Sequence, residues 1–337
     1  MATLDIFNDD AFSMVQLTDA LDKMPHKPQF LGQIGVFETR PVRTITVAIE
    51  KRDNVLALVQ TSPRGTPLDE RERELRDVRD FRTVRIAKGD TVYAHELQSI
   101  RAFGSETEMM QVQQEIALRM ARVMDDIELT HENMRLGAIQ GILTDADGST
   151  IFNWFTEWGI SQPAEIDFAL TTDDTDVRAK CAEVRRAMQR NAKGAWTPAT
   201  MVHAICGDTF YDSLIEHPNV RTTFLNWAAA AELRENKAFE SFPYGGIVFH
   251  NYRGTDDNST VAVADAEAKF FPVGARGVFQ VAYSPAETFD FVNTPGRPIY
   301  SMIVPDRDRN AWARVEEYSY PLFMCSRPEM LQRAKRA

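Results

Sequence analysis

The stretch SETEMMQVQQEIALRMARVMDDIELTHENMRLGAIQG, residues 105–141, decides how the rest of the chain is read. Ser105 and Glu108 stand at capping-box spacing, in which the hydroxyl accepts an N–H three residues on and the carboxylate reaches back. Met109, Val112, Ile116, Met120, Val123, Ile127, Met134 and Ile139 then recur close to the helical period. At 1.5 Å per residue this predicts a helix of roughly 50 Å, well beyond the usual globular length. A helix of that length reads as a structural spine. A coiled coil is the ordinary alternative, weakened by a break near His131 and by the Gly137/Gly141 end.

Upstream, residues 1–40 hold no sustained period. With Pro25 and Pro28, and Pro41 just beyond, they read as an extended arm with a short helix near Phe12–Leu21. Such an arm has no core of its own and must lie on something. Thr44–Ile49 and Val55–Val59 are rich in β-branched residues and read as two strands around a turn at Arg52-Asp53-Asn54. Ser62–Pro67 is a loop by its Pro and Gly. From Asp69 to Asp80 the charges alternate in sign with few apolar residues, which suits a solvated segment or a contact surface for a neighbouring chain. Phe81–Ala87 is a strand-like return. Residues 41–103 therefore read as a long two-stranded arm, and a lone ribbon is marginal in water.

Downstream, Gly141–Thr144 and Ser149–Phe155 flank Asp147-Gly148, a hairpin signal. A helix follows over about 174–192, with Val177, Cys181, Val184 and Met188 on one face. The pattern is then mixed. Met201–Cys206 is a strand ending in Gly207-Asp208, where a short helix begins, and a further helix spans about 219–234. Strands are expected at Gly246–Tyr252, Thr260–Ala264, Val278–Tyr283, Ile299–Val304 and Val315–Met324. The class is α+β.

The chain has 337 residues, 44% of them apolar and 26% charged, which suits about two packed lobes and excludes global disorder. No apolar run approaches the roughly 20 residues that span a bilayer, and the acidic start Met1–Asp10 does not read as a secretory signal. Cys181, Cys206 and Cys325 are too few and too scattered for a disulfide framework, which fits synthesis inside a cell. The net charge of −11 disfavours a protein that grips nucleic acid through phosphates. It suits ordinary acidic solubility, or a wall that encloses DNA without adhering to it. Arginine outnumbers lysine about three to one. That suits carboxylate contacts at interfaces and equally a GC-rich genome.

Catalytic patterns are scarce. The chain has no Gly-x-Ser-x-Gly elbow, phosphate loop or dinucleotide fingerprint, and Gly274–Gly277 reads as a turn. His203 and Cys206 have a zinc-like spacing without a second pair, so a packed strand is the better reading. His131-Glu132 and His95-Glu96 lack the second histidine of a metalloprotease. Asp173, Asp174 and Asp176 read as caps of the following helix, and Asp256-Asp257 as a solvated turn. No cofactor or metal is expected.

Taken together, an arm, a long β-ribbon, a spine helix, a hairpin, a mixed lobe and a closing strand resemble the Hong Kong 97-type capsid fold. The chain looks like the lambda-type branch, the major capsid protein E family, over nearly its whole length. The carriers are Thr46–Gly65, with its strands leading into Ser62-Pro63-Arg64-Gly65, and Met109–Thr144. They also include Lys269–Phe279 and Glu317–Met324, the latter followed by Arg327-Pro328-Glu329.

The resemblance implies an N-terminal arm (1–40) and an extended loop lying on a neighbouring subunit (41–103). It implies a peripheral domain over 104–193, to which 306–337 return, and an axial domain (194–305). It further implies hexamers and pentamers closing an icosahedral shell around double-stranded DNA, with no enzymatic role. A scaffold protein, a portal and a decoration protein are the expected partners, without a membrane and without sequence-specific DNA contact. Assembly in the host cytoplasm is expected. An arm of only about 40 residues favours a separate scaffold over a built-in one. The candidate subunit contacts are Arg64, Asp69, Arg71, Glu72, Arg73, Arg76, Asp77 and Arg79. One route to securing such a shell is a Lys–Asn bond from the extended loop. The lysines there are Lys51, placed in the first turn, and Lys88, on the returning strand, and neither is at the tip. A cellular nanocompartment shell of the same fold and a soluble α/β enzyme with an unrecognised site are the competing readings.

Overall fold

The computed structural model describes residues 18, 30–52, 76–99, 108–225, 241–253 and 261–337. They begin with helix α1 (Phe30–Ile34), strands β1 (Glu38–Pro41), β2 (Thr46–Arg52), β3 (Arg76–Arg82) and β4 (Ile86–Tyr93), helix α2 (Ala94–Ser99) and the spine helix α3 (Glu108–Gln140). Next come β5 (Ile142–Thr144), β6 (Thr150–Asn153), α4 (Trp154–Glu157), β7 (Ile166–Asp167), α5 (Val177–Asn191), β8 (Met201–Cys206), α6 (Asp208–Glu216) and α7 (Pro218–Leu225). The remainder is mostly strand: β9 (Ser241–Tyr244), β10 (Ile247–Asn251), β11 (Glu267–Val273), β12 (Phe279–Tyr283), β13 (Tyr300–Pro305), β14 (Trp312–Ser319), β15 (Pro321–Cys325) and β16 (Gln332–Lys335).

The spine helix runs 33 residues without interruption. The expected break at His131 is absent. His131 is fully buried and bonded to Ser319 at 2.9 Å, so the polar side chain has a partner and the helix no reason to stop. Two glycines let the β5–β6 hairpin close onto its end. A Cβ at Gly137 would lie 2.8 Å from the Ile142 carbonyl oxygen. Gly141 adopts φ +82°, a left-handed cap that ends the helix. Its carbonyl then accepts the Trp154 N–H at 2.9 Å.

Two lobes flank the spine. In one, a six-stranded sheet of order β7-β16-β11-β8-β10-β9 packs with α5 and α6. Its core is apolar: Val177, Cys181, Val184 and Met188 meet Phe168, Phe210, Phe249 and Phe270. The expected apolar face of α5 is the buried one, and Asp176 caps it through the Ala179 N–H at 3.0 Å. Against the spine lies the sheet β13-β14-β4. A third sheet, β1-β12-β15, joins them, with β1 adding in parallel to β12.

Several expectations need correction. The partner of β2 is β3, from Thr46↔Arg82 to Arg52↔Arg76, so Lys51 and Arg52 lie within a strand and not in a turn. The expected strand Val55–Val59 and the loop Ser62–Pro67 lie outside the described residues. The return does not stay in the ribbon. Its second part, β4, pairs along all of β14. Residues 261–264 of the expected strand Thr260–Ala264 are irregular. Val315–Met324 is two strands in different sheets, separated at Tyr320. The polar closing strand β16, which pairs with β11 and β7 and completes the large sheet, was not foreseen.

The helix-end glycine gives a first test. An alanine at Gly141 would need a left-handed backbone and put its Cβ 2.4 Å from the Phe155 ring. Gly141→Ala should therefore cost the subunit about 2–4 kcal/mol. This would be measured by denaturant unfolding, and an unchanged midpoint would refute the account.

Candidate assembly surface

The residues expected to meet a neighbour divide into three groups. Arg64, Asp69, Arg71, Glu72 and Arg73 lie outside the described residues. Arg76 and Asp77 begin β3, opposite Arg52 and Lys51, at the end of the ribbon far from its base. Arg79 is described in full. Its guanidinium sits 5.9 Å from the Trp158 ring and donates to the Glu157 carbonyl within the same chain. The ribbon is thus fastened at its base by Arg79 and by Phe81. Phe81 is buried and meets Phe152, Trp154 and Trp158 edge-on at 5.3–6.0 Å. Beyond that anchorage β2 and β3 pair with each other and, among the described residues, with no other strand.

A second outward feature was missed. Phe289 is 98% exposed, with Val292 also exposed on the same short turn. The turn is held in place. Phe291 is buried against Tyr300 at 4.8 Å, the Arg297 N–H donates to Tyr300 Oη at 2.8 Å, and the Gly296 N–H reaches the Val42 carbonyl at 2.9 Å. A fixed, fully solvated phenylalanine leaves about 1.5–3 kcal/mol of burial unused in the isolated chain. The signal in the sequence was Thr288-Phe289-Asp290-Phe291 between Pro285 and Pro295, an aromatic pair of which one ring faces inward.

Inside, the spine carries a polar cluster that sequence reasoning passed over as an isolated His-Glu pair. Glu132 has no exposed surface and accepts three bonds: from the Leu31 N–H at 2.8 Å, Tyr252 Oη at 3.2 Å and Arg135 at 3.3 Å. Arg135 also reaches Glu128 at 3.5 Å, and His131 Nδ1 lies 3.4 Å from Glu128. Burial raises the Glu132 pKa, against the opposing pull of the Leu31 N–H and Arg135. Burial likewise pushes up the Tyr252 hydroxyl. Phe30 stacks edge-on against His250 and Tyr252 at 4.9 and 5.9 Å. The arm segment α1 is therefore docked through the Leu31 N–H and the Phe30 ring, with Leu31 buried beside them.

The candidates for chemistry resolve as packing. His203 and His250 stack, with Nδ1 of one 2.9 Å from Nε2 of the other, and burial lowers both, His250 to about 4. Cys206 is a buried free thiol. Asp173 and Asp174 are exposed in the turn ahead of α5. Among the described residues no group of three or more His, Cys, Asp or Glu is placed to hold a metal, and no helix is long and apolar enough to cross a membrane. Lys88, whose side chain is half exposed, pairs with Asp126 of the spine at 2.6 Å.

The cluster at Glu132 predicts a large effect from one substitution. Glu132→Ala leaves Arg135, Tyr252 Oη and the Leu31 N–H without their shared acceptor in the interior. A loss of about 3–5 kcal/mol is expected, together with faster protease cleavage just ahead of Phe30. Wild-type unfolding and cleavage would show that the carboxylate does not hold the arm.

Comparison with known proteins agrees with this geometry. The chain is 23% identical over 355 residues to the major capsid protein of Salmonella phage Felix O1, covering 95% of each. Among solved structures it is similar to a prophage protein of E. coli CFT073, at a TM-score of 0.59 and 14% identity over 96% of this chain and 99% of that one. It is also similar to the capsid protein of Ralstonia phage GP4, at 0.50 and 12% identity over 89% and 87%. The Hong Kong 97-type fold expected from the order of elements is the fold observed, and the relatives are structural proteins, not enzymes. The model of the phage major capsid protein E family matches residues 13–336, and the chain belongs to that family.

Proposed function

We propose that this protein is the shell subunit of a tailed phage, assembling as hexamers and pentamers into an icosahedral capsid around double-stranded DNA. The observation that carries the reading is the β2–β3 ribbon. It is fastened to its own subunit at Phe81 and Arg79, and beyond that point β2 and β3 pair, among the described residues, with no other strand. A two-stranded ribbon gains stability only by packing on something else, and in a closed shell the neighbouring subunit is always present. Membership of a capsid family supports this over a cellular nanocompartment.

In this reading residues 41–103 are the extended loop, 104–193 with 306–337 the peripheral domain, and 194–305 the axial domain. The contacts are Arg64, Asp69, Arg71, Glu72, Arg73, Arg76 and Asp77, with Arg79 at the hinge between ribbon and body. Phe289 joins them as an apolar knob. The net charge of −11 suits a wall that does not hold its DNA through phosphates. A scaffold protein, a portal and a decoration protein complete the set of partners, and assembly takes place in the host cytoplasm.

The test is assembly itself. Purified protein should give capsomers or particles by size exclusion and negative-stain microscopy. A strictly monomeric protein with an ordered 41–103 segment would sink the reading. Reversing Arg73 and Arg76 to Glu should lower particle yield while each subunit stays folded. Single surface pairs are worth about 0–1 kcal/mol, so the effect depends on repetition around the shell, and an unchanged yield would clear these residues of the role.

The lysines bear on how the shell is secured. Lys51 lies in β2 opposite Asp77, and Lys88 is paired to the spine. The segment between the described ends of the ribbon, residues 53–75, contains arginines and no lysine, and a guanidinium is a poor nucleophile. A non-covalent shell follows. Mature particles on a denaturing gel should show one band near 38.2 kDa, and a ladder resistant to reductant would contradict this.

A further inference from the structure

The seam between the spine and the sheet β13-β14-β4 contains a group that the fold leaves unexplained. Along β14, Ala313, Val315, Glu317 and Ser319 alternate onto the buried face, and Glu317 has no exposed surface. Among the described residues neither of its carboxylate oxygens has a hydrogen-bond partner. A leucine or methionine of similar size would fill the place without that loss, so the carboxyl is retained at a cost in stability.

Its surroundings are well defined. From β4, Lys88 stands directly opposite Glu317 in register and so shares its face, and Asp90 stands opposite Val315. Lys88 is committed to Asp126 of α3 at 2.6 Å, and Asp90 to Arg119 at 3.1 Å. From β13 the opposed residue is Ser301, whose hydroxyl is also buried and, among the described residues, unpartnered. The Ser301 N–H meets the Thr18 hydroxyl of the arm at 3.2 Å. From α3 the remaining groups on this side are Glu128 and His131, which serve Arg135 and Ser319. Glu316, Arg314 and Tyr318 alternate onto the opposite face. Lys88 is thus the cation opposite Glu317 on its own sheet face, and it is held by a competing carboxylate.

We propose that Glu317 is a proton-operated latch between the spine helix and the sheet β13-β14-β4. With its carboxyl neutral, the seam closes and Lys88 pairs with Asp126. When the proton leaves to solvent, the new anion competes for Lys88 and loosens the helix from the sheet. The sign follows from burial, which raises the group to about 8 from an ordinary 4.5. A carboxyl raised in the folded state contributes closure that is complete below about pH 4.5 and is lost as pH rises through about 8. The latch opens toward alkaline pH.

Hydrogen exchange of the full-length protein, followed by mass spectrometry at pH 6 and pH 9 and corrected for intrinsic exchange rates, reads this directly. Peptides covering 116–131 and 312–319 should open on the order of tenfold or more as the acid ionises. Peptides of β8 and β10, which pack away from the seam, should not follow. Glu317→Gln should abolish the difference. Lys88→Met removes the competing cation and should move the midpoint to higher pH. Equal pH dependence in seam and large sheet, a Glu317→Gln profile matching wild type, or an unmoved midpoint in Lys88→Met would each overturn the latch. Should Glu317→Gln fail to fold, the wild-type contrast between seam and large sheet together with the Lys88→Met midpoint still tests the latch.

Discussion

The carboxylate of Glu132 is the interaction on which the other parts of the subunit depend. A charge taken fully out of water costs several kcal/mol unless its lone pairs are satisfied. Here three donors converge on it, one each from the arm, the end of β10 and the spine itself. None of the three elements is near the others in sequence, and Leu31 stands 101 residues from Glu132. Removing any of them leaves the carboxylate under-coordinated, so arm, large sheet and spine are stable only together. Apolar burial around it, with Leu31, Tyr252 and Leu136 in one core, supplies the driving force. The carboxylate fixes which arrangement of the arm that force selects.

How much of this was legible follows from the range of each interaction. The spine, the β5–β6 hairpin, α5 and β8 are set by local period and turn residues, and they lie where the sequence places them, while the capping box at Ser105 falls outside the described residues. The pairing of β2 is not local. Val55–Val59 is richer in β-branched residues than Arg76-Asp77-Val78-Arg79-Asp80-Phe81-Arg82, yet the latter is the partner. Register in a ribbon is decided by what its base packs on, here Phe81 among three aromatic rings, and composition does not carry that information. His131 looked like a helix break because its partner, Ser319, is 188 residues away. The strand β16 gave no local signal because Gln332 and Lys335 extend an existing sheet and form no core alone.

The site shows the same division. Alternating charges before Phe81 mark a segment unfit for a core, and that much is readable. Where Arg79 points is not, because Trp158 comes from a distant turn. Phe289 could have been suspected from its Pro-bounded loop, but the direction of either ring in Phe289-Asp290-Phe291 depends on Tyr300 and Arg297. Glu317 was visible in outline. It occupies an inward position in a strand whose alternate residues are Ala313, Val315 and Ser319, and an acid in an inward register is an inconsistency that points to function or strain.

The spine itself is two mechanical halves. From Ile127 to Gln140 no residue is exposed and most are buried, with the arm, the hairpin and β15 around it. Between Glu115 and Asp126 only one face is covered, and Leu118 on the other is half exposed. The covered face meets the sheet through a thin layer of Ile116, Met120, Val123 and Met124 against Ile299 and Val315. Ion pairs from Arg119 to Asp90, Glu96 and Glu115 and from Lys88 to Asp126 edge that layer. Local opening follows the density of buried apolar contact, so the first half yields before the second. Ion pairs at a partly exposed edge exchange partners at little cost, whereas the enclosed half has no alternative packing. A subunit built this way keeps its arm and large sheet in fixed relation. Any adjustment between neighbours in a curved shell is then confined to the ribbon, the sheet β13-β14-β4 and the first half of the helix.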